Sequence, residues 1–328
     1  MNVKILRSRL SQGAAMSIGV LLAVGLGVLV FMPGPQHPGV SATRRSVPAA
    51  PIGPCAPRQH VSLSKLIGVA PGWHWQLATE KFAAATGTTP TIVETYQRFG
   101  QSFDPHLACS IERSSALPLI QLLPRFQPLT AIAAGKYDGY LRRFAGDVRK
   151  YRAKVILSFA HEMNGPWFPW GFHQSSPAAF VAAWRHIHDV FTKAGATNVI
   201  WLWNVNRKSP AVSGPAPYWP GARYVTWVGI DAYYETPTST FSNTFNPTLT
   251  LIRRFTQAPV LITETAVPKS PHAYAQTQSL FAGVRANPQI IGFVWFDINR
   301  RELWKLEPDP GALAAFRAGV RSLGRKAT

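Results

Sequence analysis

Eight short apolar runs, each separated from the next by enough chain for a helix, are the feature that most constrains the fold. The runs lie at residues 65–71, 91–97, 117–124, 154–162, 198–206, 227–234, 259–267 and 290–299. Helix-forming stretches lie between or after them, at 130–151, 177–194, 247–256, 271–286 and 311–323. This alternation is typical of βαβ units around a parallel sheet. The sequence therefore predicts an α/β protein, a TIM (β/α)8 barrel over residues 58–328, close to the ~250 residues typical of that fold.

The N-terminal segment has the pattern of an export signal. Three basic residues precede the first apolar stretch, namely Lys4, Arg7 and Arg9. An uncharged run follows at 13–32, which predicts a signal peptide or signal-anchor over 1–32 and a Pro-rich spacer over 33–57. The sequence does not decide whether this segment is cleaved off or stays as a membrane anchor. About 20 apolar residues can span a bilayer, and residues 40–42 match a signal-peptidase cleavage site only loosely. Either outcome predicts an extracytoplasmic protein, secreted or membrane-anchored. The basic residues before the apolar run stay on the cytoplasmic side of the membrane, so the rest of the chain lies on the other side.

The chain has only two cysteines, Cys55 and Cys109. In an exported protein, a single disulfide between them is expected, and it would join the end of the spacer to the barrel. Two unpaired buried thiols are the alternative, because the sequence gives no distance between the two residues.

The formal net charge is +19, and the basic residues are spread along the chain. No basic run is interleaved with aromatic residues in a nucleic-acid motif, so no nucleic-acid partner is expected. Attraction to anionic lipid or to a cell-wall polymer is one interpretation of the charge, and a generally basic surface is the other.

Two of the 15 acidic residues, Glu162 and Glu264, fall at the ends of the fourth and seventh predicted strands. Alternation along the fourth strand turns Ser158 and then Glu162 toward the barrel interior, and in the sixth strand it turns Asp231 and Tyr233 inward. Active sites of such barrels lie at the C-terminal ends of the strands. The two glutamates are therefore candidate catalytic residues, with ion pairs at the barrel rim as the structural alternative.

A pair of facing carboxylates is what cleavage of a glycosidic bond requires. One carboxyl group protonates the leaving oxygen, and the other acts at the anomeric carbon. At about 5–5.5 Å separation the second group is a nucleophile and configuration is retained, whereas about 6.5–9.5 Å admits a water and inverts it.

The segment His-Glu-Met-Asn-Gly at 161–165, continued by Pro-Trp-Phe-Pro-Trp-Gly at 166–171, strongly resembles glycoside hydrolase family 26, the β-mannanase family of the clan A retaining glycosidases. The segments Trp-Leu-Trp-Asn at 201–204 and Tyr-Trp-Pro-Gly at 218–221 are also similar to that family. The resemblance implies that Glu162 is the acid/base. It also implies that Glu264, in Ile-Thr-Glu-Thr at 262–265, is the nucleophile.

The same resemblance implies a set of substrate-binding residues. They are His161, Trp167, Trp170, Tyr233 and Trp295. Tyr233 matches the tyrosine that steadies the nucleophile, and Trp295 resembles the eighth-strand tryptophan beneath the sugar. The chain departs from the family pattern at Pro166 and at 297–299, which leaves the preferred polymer open.

Metal and cofactor sites are not expected. The His161–Glu162 pair is also found in the zinc-protease motif, but that motif requires a second histidine at position 165. This position is Gly165, so the motif is incomplete. His186 and His188 are two apart on a predicted helix and point to different faces, so they are expected to be solvated surface residues.

The sequence thus predicts a monomeric retaining endo-β-glycanase that works without a cofactor on a β-linked polysaccharide or oligosaccharide, most of all β-1,4-mannan. A β-1,3/1,4-glucanase or β-1,3-xylanase is the alternative within enzymes. A barrel that binds cell-wall carbohydrate without cleaving it is the alternative from another class.

Overall fold

A computed structural model describes residues 65–72, 74–300 and 302–324. The predicted signal or anchor at 1–32, the spacer at 33–57 and Cys55 lie outside the described residues. Cys109 is buried and is not a free thiol, and its pairing with Cys55 stays a prediction. Among the described helices, none is both long and apolar enough to cross a membrane.

Eight parallel strands close into one barrel in chain order, with β1 paired to β8, which confirms the predicted TIM-barrel fold. The strands are β1 (Leu66–Ala70), β2 (Ile92–Arg98), β3 (Leu117–Leu123), β4 (Val155–Phe159), β5 (Val199–Asn206), β6 (Trp227–Asp231), β7 (Val260–Thr265) and β8 (Ile290–Phe296). The helices around them are α1 (Trp75–Thr86), α2 (Pro105–Arg113), α3 (Leu129–Ala133), α4 (Asp138–Tyr151), α5 (Pro177–Lys193), α6 (Phe241–Ile252), α7 (Ala273–Ala286) and α8 (Pro310–Ser322). Because all strands are parallel, their carboxyl ends lie at one end of the barrel.

Two helix predictions were wrong in their boundaries. The stretch at 130–151 forms two helices, α3 and α4, because the chain turns between them at Gly135, whose φ is 80°. The helix predicted from Pro247 begins at Phe241 instead. Thr240 and Asn243 form a capping box there, which satisfies the first backbone amides, and Pro247 lies inside the helix.

The barrel interior contains buried polar side chains. Gln121 Nε2 donates to Glu94 Oε1 at 2.7 Å, and Asn204 Nδ2 donates to Asp231 Oδ2 at 2.8 Å. All four side chains are at most 1% exposed. A Cβ at Gly229 would lie 2.4 Å from Thr263 Oγ1 and 2.6 Å from Asn204 Oδ1, so side chains of β7 and β5 occupy the space beside this glycine.

The closure between β8 and β1 depends on Gly292. A Cβ at this position would lie 2.1 Å from the carbonyl oxygen of Leu66, a backbone atom that cannot move without opening the β1–β8 pairing. We expect Gly292→Ala to lower the free energy of unfolding by about 1–3 kcal/mol through overpacking. Chemical denaturation followed by circular dichroism measures the change.

Gly146 provides the control for this prediction. It lies within α4, and a Cβ there would meet no heavy atom within 4 Å. We expect Gly146→Ala to raise the free energy of unfolding by about 0.5–1 kcal/mol, because alanine restricts the unfolded chain. Equal stability of the two variants would contradict the assignment of Gly292 to a steric role.

Candidate active site

Glu162 is presented by a tight turn after β4 and not by the strand itself. The strand ends at Phe159, and both Ala160 (φ 52°) and Glu162 (φ 53°) have left-handed backbone conformations. The inward and outward alternation of side chains, predicted to continue to Glu162, therefore ends at Phe159. The Glu162 amide donates to the carbonyl oxygen of Asn204 at 2.9 Å, which fixes the turn to β5. Such conformations are costly for residues other than glycine and are often found at functional sites.

Two donors hold the Glu162 carboxyl group. Asn206 Nδ2 donates to Oε1 at 2.5 Å, and Trp167 Nε1 donates to Oε2 at 2.6 Å. Asn164 in turn positions Asn206, because its Oδ1 accepts the Asn206 amide at 2.8 Å and its Nδ2 donates to the Asn206 carbonyl at 2.9 Å. Gly165 lies directly against the Trp167 ring, where a Cβ would be 2.3 Å from a ring carbon. The Asn-Gly pair of the motif thus positions both donors to Glu162.

Glu264 lies on β7 and accepts hydrogen bonds from two tyrosines. Tyr233 Oη donates to Oε2 at 2.5 Å, and Tyr96 Oη donates to Oε1 at 2.6 Å. The sequence predicted the Tyr233 contact but not Tyr96. The signal that could have found Tyr96 is its alternation with Glu94 on the inward face of β2, at the same end as the other polar residues.

The two glutamates have different electrostatic environments. Burial, followed by the negative charge of Glu264, raises the pKa of Glu162 to about 8. Burial also raises the pKa of Glu264, but the hydrogen bonds from Tyr233 and Tyr96 and the charge of Arg300 oppose that rise. The bonds from Asn206 and Trp167 oppose the rise at Glu162 without cancelling it, so Glu162 keeps its proton at neutral pH. Glu264, with two tyrosine donors and a nearby cation, is the group more readily ionised.

His161 is buried beside these groups. Its ring contacts Phe168 edge-on, with centroids 4.8 Å apart, and lies 6.1 Å from the ring of Tyr96. Burial, with a smaller contribution from the charge of Arg125, lowers the pKa of His161 to about 3. His161 is therefore a neutral imidazole, and its Nδ1 has no hydrogen-bond partner among the described residues.

The three tryptophans predicted to bind substrate have different positions. Trp167 is 46% exposed, which leaves a ring face open to a sugar. Trp170 is 1% exposed and donates its Nε1 to the His161 carbonyl at 2.8 Å. Trp295 is fully buried, and its ring packs edge-on against Phe316 of α8 at 5.6 Å. The predicted substrate contacts of Trp170 and Trp295 stay predictions, and the burial of both rings disfavours stacking on a sugar.

Trp304 is the tryptophan that the sequence reasoning missed. It is half-buried, and its ring stacks on that of Tyr233 with centroids 4.6 Å apart and planes 19° apart. Its carbonyl oxygen accepts a hydrogen bond from Trp295 Nε1 at 3.1 Å. Trp295 thus holds Trp304 beside the tyrosine that contacts Glu264. Its place in the loop after the eighth strand, at the catalytic end, was the available signal.

Two further buried acids, Glu94 and Asp231, lie near the glutamates, and Asp231 is opposite Glu264 in the pairing of β6 with β7. Burial and the nearby carboxylates, Glu264 foremost, raise the pKa of each well above its ordinary value. This environment favours the neutral form of both carboxyl groups. Within the described residues no set of three or more His, Cys, Asp or Glu side chains is arranged to hold a metal ion. His186 contacts Asp138 Oδ1 at 2.6 Å on the outer helices.

Removing one tyrosine donor tests its effect on Glu264. We expect Tyr233→Phe and Tyr96→Phe each to shift the acidic limb of the activity profile to higher pH, because each hydroxyl favours the ionised carboxylate. The rate at the optimum should fall about tenfold or more, as for loss of a charge-assisted hydrogen bond. The profile of kcat/KM against pH measures both effects. Tyr274→Phe, at an exposed tyrosine on α7, is the control. An unmoved acidic limb in both site variants would contradict the role.

Comparison with known proteins adds an independent line of support. Residues 139–278 match the sequence profile described as Glycosyl hydrolase family 26. Endoglucanase H of Acetivibrio thermocellus is 29% identical, over 74% of this chain and 29% of the relative. Mannan endo-1,4-beta-mannosidase A and B of Caldalkalibacillus mannanilyticus is 29% identical, over 47% of this chain and 31% of the relative. This chain thus spans less than a third of the length of either curated relative.

A solved structure of a family 26 β-mannanase from Bacteroides ovatus has the same fold. It superposes with a TM-score of 0.62 at 18% identity, over 79% of this chain and 89% of that chain. The matched profile spans β4 to β7 and so contains both Glu162 and Glu264. Over residues 139–278 this chain is therefore similar to glycosyl hydrolase family 26, and its barrel has the fold of that β-mannanase.

Proposed function

We propose that the chain is a retaining endo-β-glycanase that hydrolyses β-1,4-mannan by double displacement. Two buried carboxyl groups, each held by two side-chain donors, are the observation that supports this: the pKa of Glu162 is raised to about 8, whereas the tyrosine hydrogen bonds and Arg300 oppose the rise at Glu264. Glu162 keeps its proton, as a general acid must, while the two tyrosines on Glu264 favour an ionised nucleophile.

In the first step, the Glu162 proton passes to the glycosidic oxygen as Glu264 bonds to the anomeric carbon, and the aglycone leaves. In the second step, Glu162, now a carboxylate, takes a proton from a water that attacks the anomeric carbon and releases Glu264. Asn206 and Trp167 hold the Glu162 carboxyl group in both steps. The deprotonated form of Glu162 is accessible in the second step because Glu264 is then esterified and no longer carries a charge.

The names of the relatives support mannan as the first substrate and glucan as the second. One relative is named as a mannan endo-1,4-beta-mannosidase and another as an endoglucanase, both at 29% identity. Selection between the two sugars depends on contacts to the 2-hydroxyl group, where a hydrogen-bonding site can discriminate strongly.

A panel of β-1,4-mannan, mixed-linkage β-glucan and β-1,3-xylan tests the proposal. We expect new reducing ends with mannan, and an early proton NMR spectrum in which the β-anomer is formed first. Early release of the α-anomer would contradict double displacement. Binding to a polymer without any new reducing ends would instead indicate a carbohydrate-binding sensor.

We further propose that the protein acts outside the cytoplasm as a monomer, either secreted or anchored. The basic residues before the apolar run at 13–32 support export. Cell fractionation with antibody detection tests the location, and light scattering of the purified protein tests the oligomeric state. A cytoplasmic pool alone, or a stable dimer, would contradict the respective part.

A further inference from the structure

A pocket of about 450 Å³ lies between the loop after β3 and the loop after β4, and the catalytic steps above do not use it. Arg125, Phe126 and Gln127 line it from the first loop, and Gln174 and Ser175 line it from the second. Both loops follow strand carboxyl ends, so the pocket opens at the catalytic end of the barrel.

The pocket shares a wall with the catalytic site. Trp170 lines the pocket, and its Nε1 donates to the carbonyl oxygen of His161, the residue next to Glu162. The Arg125 guanidinium is close enough that its charge lowers the pKa of His161. A glycan bound across Glu162 therefore passes near this pocket.

The lining favours a negative charge. Arg125 forms no ion pair with any described residue, and no Asp or Glu is among the residues that line the pocket. A guanidinium presents a planar fork of donors that matches carboxylate and phosphate oxygens. The amides of Gln127 and Gln174 and the hydroxyl of Ser175 supply further donors without a competing charge.

An exposed aromatic ring lies beside this cation. Phe126 is 81% exposed, which is unusual for phenylalanine and is the largest exposure among the large apolar side chains of the described residues. An aromatic face next to unpaired donors is the arrangement that accommodates a sugar ring together with its polar substituents.

We infer that this pocket binds an anionic substituent, a carboxylate or phosphate, carried by the glycan, so that the preferred substrate is an acidic β-glycan. The inference rests on the proposed glycanase function and specifies its substrate class. The excess of basic over acidic residues in the chain, 34 against 15, favours the approach of such a polymer.

The test uses three forms of one polymer: β-mannan, the same mannan partly oxidised to carboxylate at C6, and the same mannan partly phosphorylated. The preference is the ratio of kcat/KM for each anionic form to kcat/KM for the parent. Arg125→Gln removes the cation from the pocket. Arg321→Gln, in the exposed last turn of α8, removes an equal charge elsewhere and is the matched control.

We expect wild type to prefer at least one anionic form, and Arg125→Gln to lower that preference about tenfold, while Arg321→Gln retains it. If the preference is for the oxidised mannan, the pocket binds a carboxylate; if it is for the phosphorylated mannan, the pocket binds a phosphate. About 0.5 M NaCl should reduce the preference by screening. No preference in wild type, or equal losses in both variants, would overturn the inference.

A binding measurement separates this inference from the proposed function. Calorimetry with carboxylated, phosphorylated and neutral manno-oligosaccharides needs no turnover. If wild type binds the carboxylated or a phosphorylated oligosaccharide more tightly than the neutral one and Arg125→Gln does not, the pocket assignment holds even if no polymer is cleaved. If mannan is cleaved but wild type binds all forms equally, the assignment fails while the glycanase function holds.

Discussion

Glu264→Ala is expected to lower kcat by about 10⁴-fold or more, because the variant has no group to form the covalent intermediate. The carboxylate lies on β7 and accepts from two tyrosine hydroxyls, so its removal leaves a small space beside those hydroxyls. Initial rates on the polymer measure the loss. Glu80→Ala, at an exposed glutamate of α1, is the control and should retain wild-type activity.

The same variant also identifies the role of the residue. Azide is small enough to occupy the space left by the carboxylate and to attack from its face, so Glu264→Ala with azide should form an α-glycosyl azide from an activated substrate. In Glu162→Ala the covalent intermediate still forms, and azide attacks from the opposite face to give the β-product. The reverse pattern of products would exchange the roles of Glu162 and Glu264. If azide restored activity to neither variant although both kept residual activity, double displacement would be contradicted.

Glu162→Gln is expected to lower kcat/KM on polysaccharide by about 10²–10⁴-fold, the usual contribution of general acid catalysis. Glutamine keeps the shape that accepts from Trp167 but has no proton to transfer to the leaving oxygen. Substrates with a nitrophenolate leaving group need little protonation, so the rate of the first step should fall far less with them than with polysaccharide. A uniform loss across leaving groups would indicate that Glu162 positions substrate without donating a proton.

The pH dependence follows from the same pair of groups. Activity should fall as pH rises through about 8, where Glu162 loses its proton, and fall at low pH where Glu264 becomes protonated. The alkaline limb should be absent in Glu162→Gln when an activated substrate is used. A limb at the same pH in that variant would assign the titration to another group.

Stability should vary with pH in the opposite sense from that of a salt-bridged acid. Burial raises the folded-state pKa of Glu162 from its ordinary value of 4.5 to about 8, so between these values the native state holds a proton that the unfolded chain has released. Stability therefore falls as pH rises through this window. Glu162→Gln removes the titration, so its Tm should exceed that of wild type near pH 9 and approach it near pH 4. Differential scanning fluorimetry measures both.

Helix and strand order were accessible from the sequence because each element has a local signal. Eight β-rich runs specified eight strands, and the helices between them carried apolar residues at helical spacing. The boundaries were less accessible. Pro247 is favourable at the start of a helix, but the Thr240–Asn243 capping box upstream satisfied the first amides and extended α6 by six residues.

Residue identity and chain position determined which acids to examine. Glu162 and Glu264 are polar residues at the ends of buried runs, and a barrel brings such ends together whatever the loops do. The motif at 161–171 added the resemblance to glycoside hydrolase family 26. None of this required knowledge of a side-chain conformation.

Only the tertiary structure decided which neighbours act on those acids. Trp295 and Trp304 both follow or end the eighth strand, but one ring packs on α8 and the other on Tyr233. Tyr96 reaches Glu264 across 168 residues of chain. Local sequence sets the type of element and the direction in which a strand residue points, whereas contacts between distant residues depend on the closure of the barrel and on loop paths that no local pattern encodes.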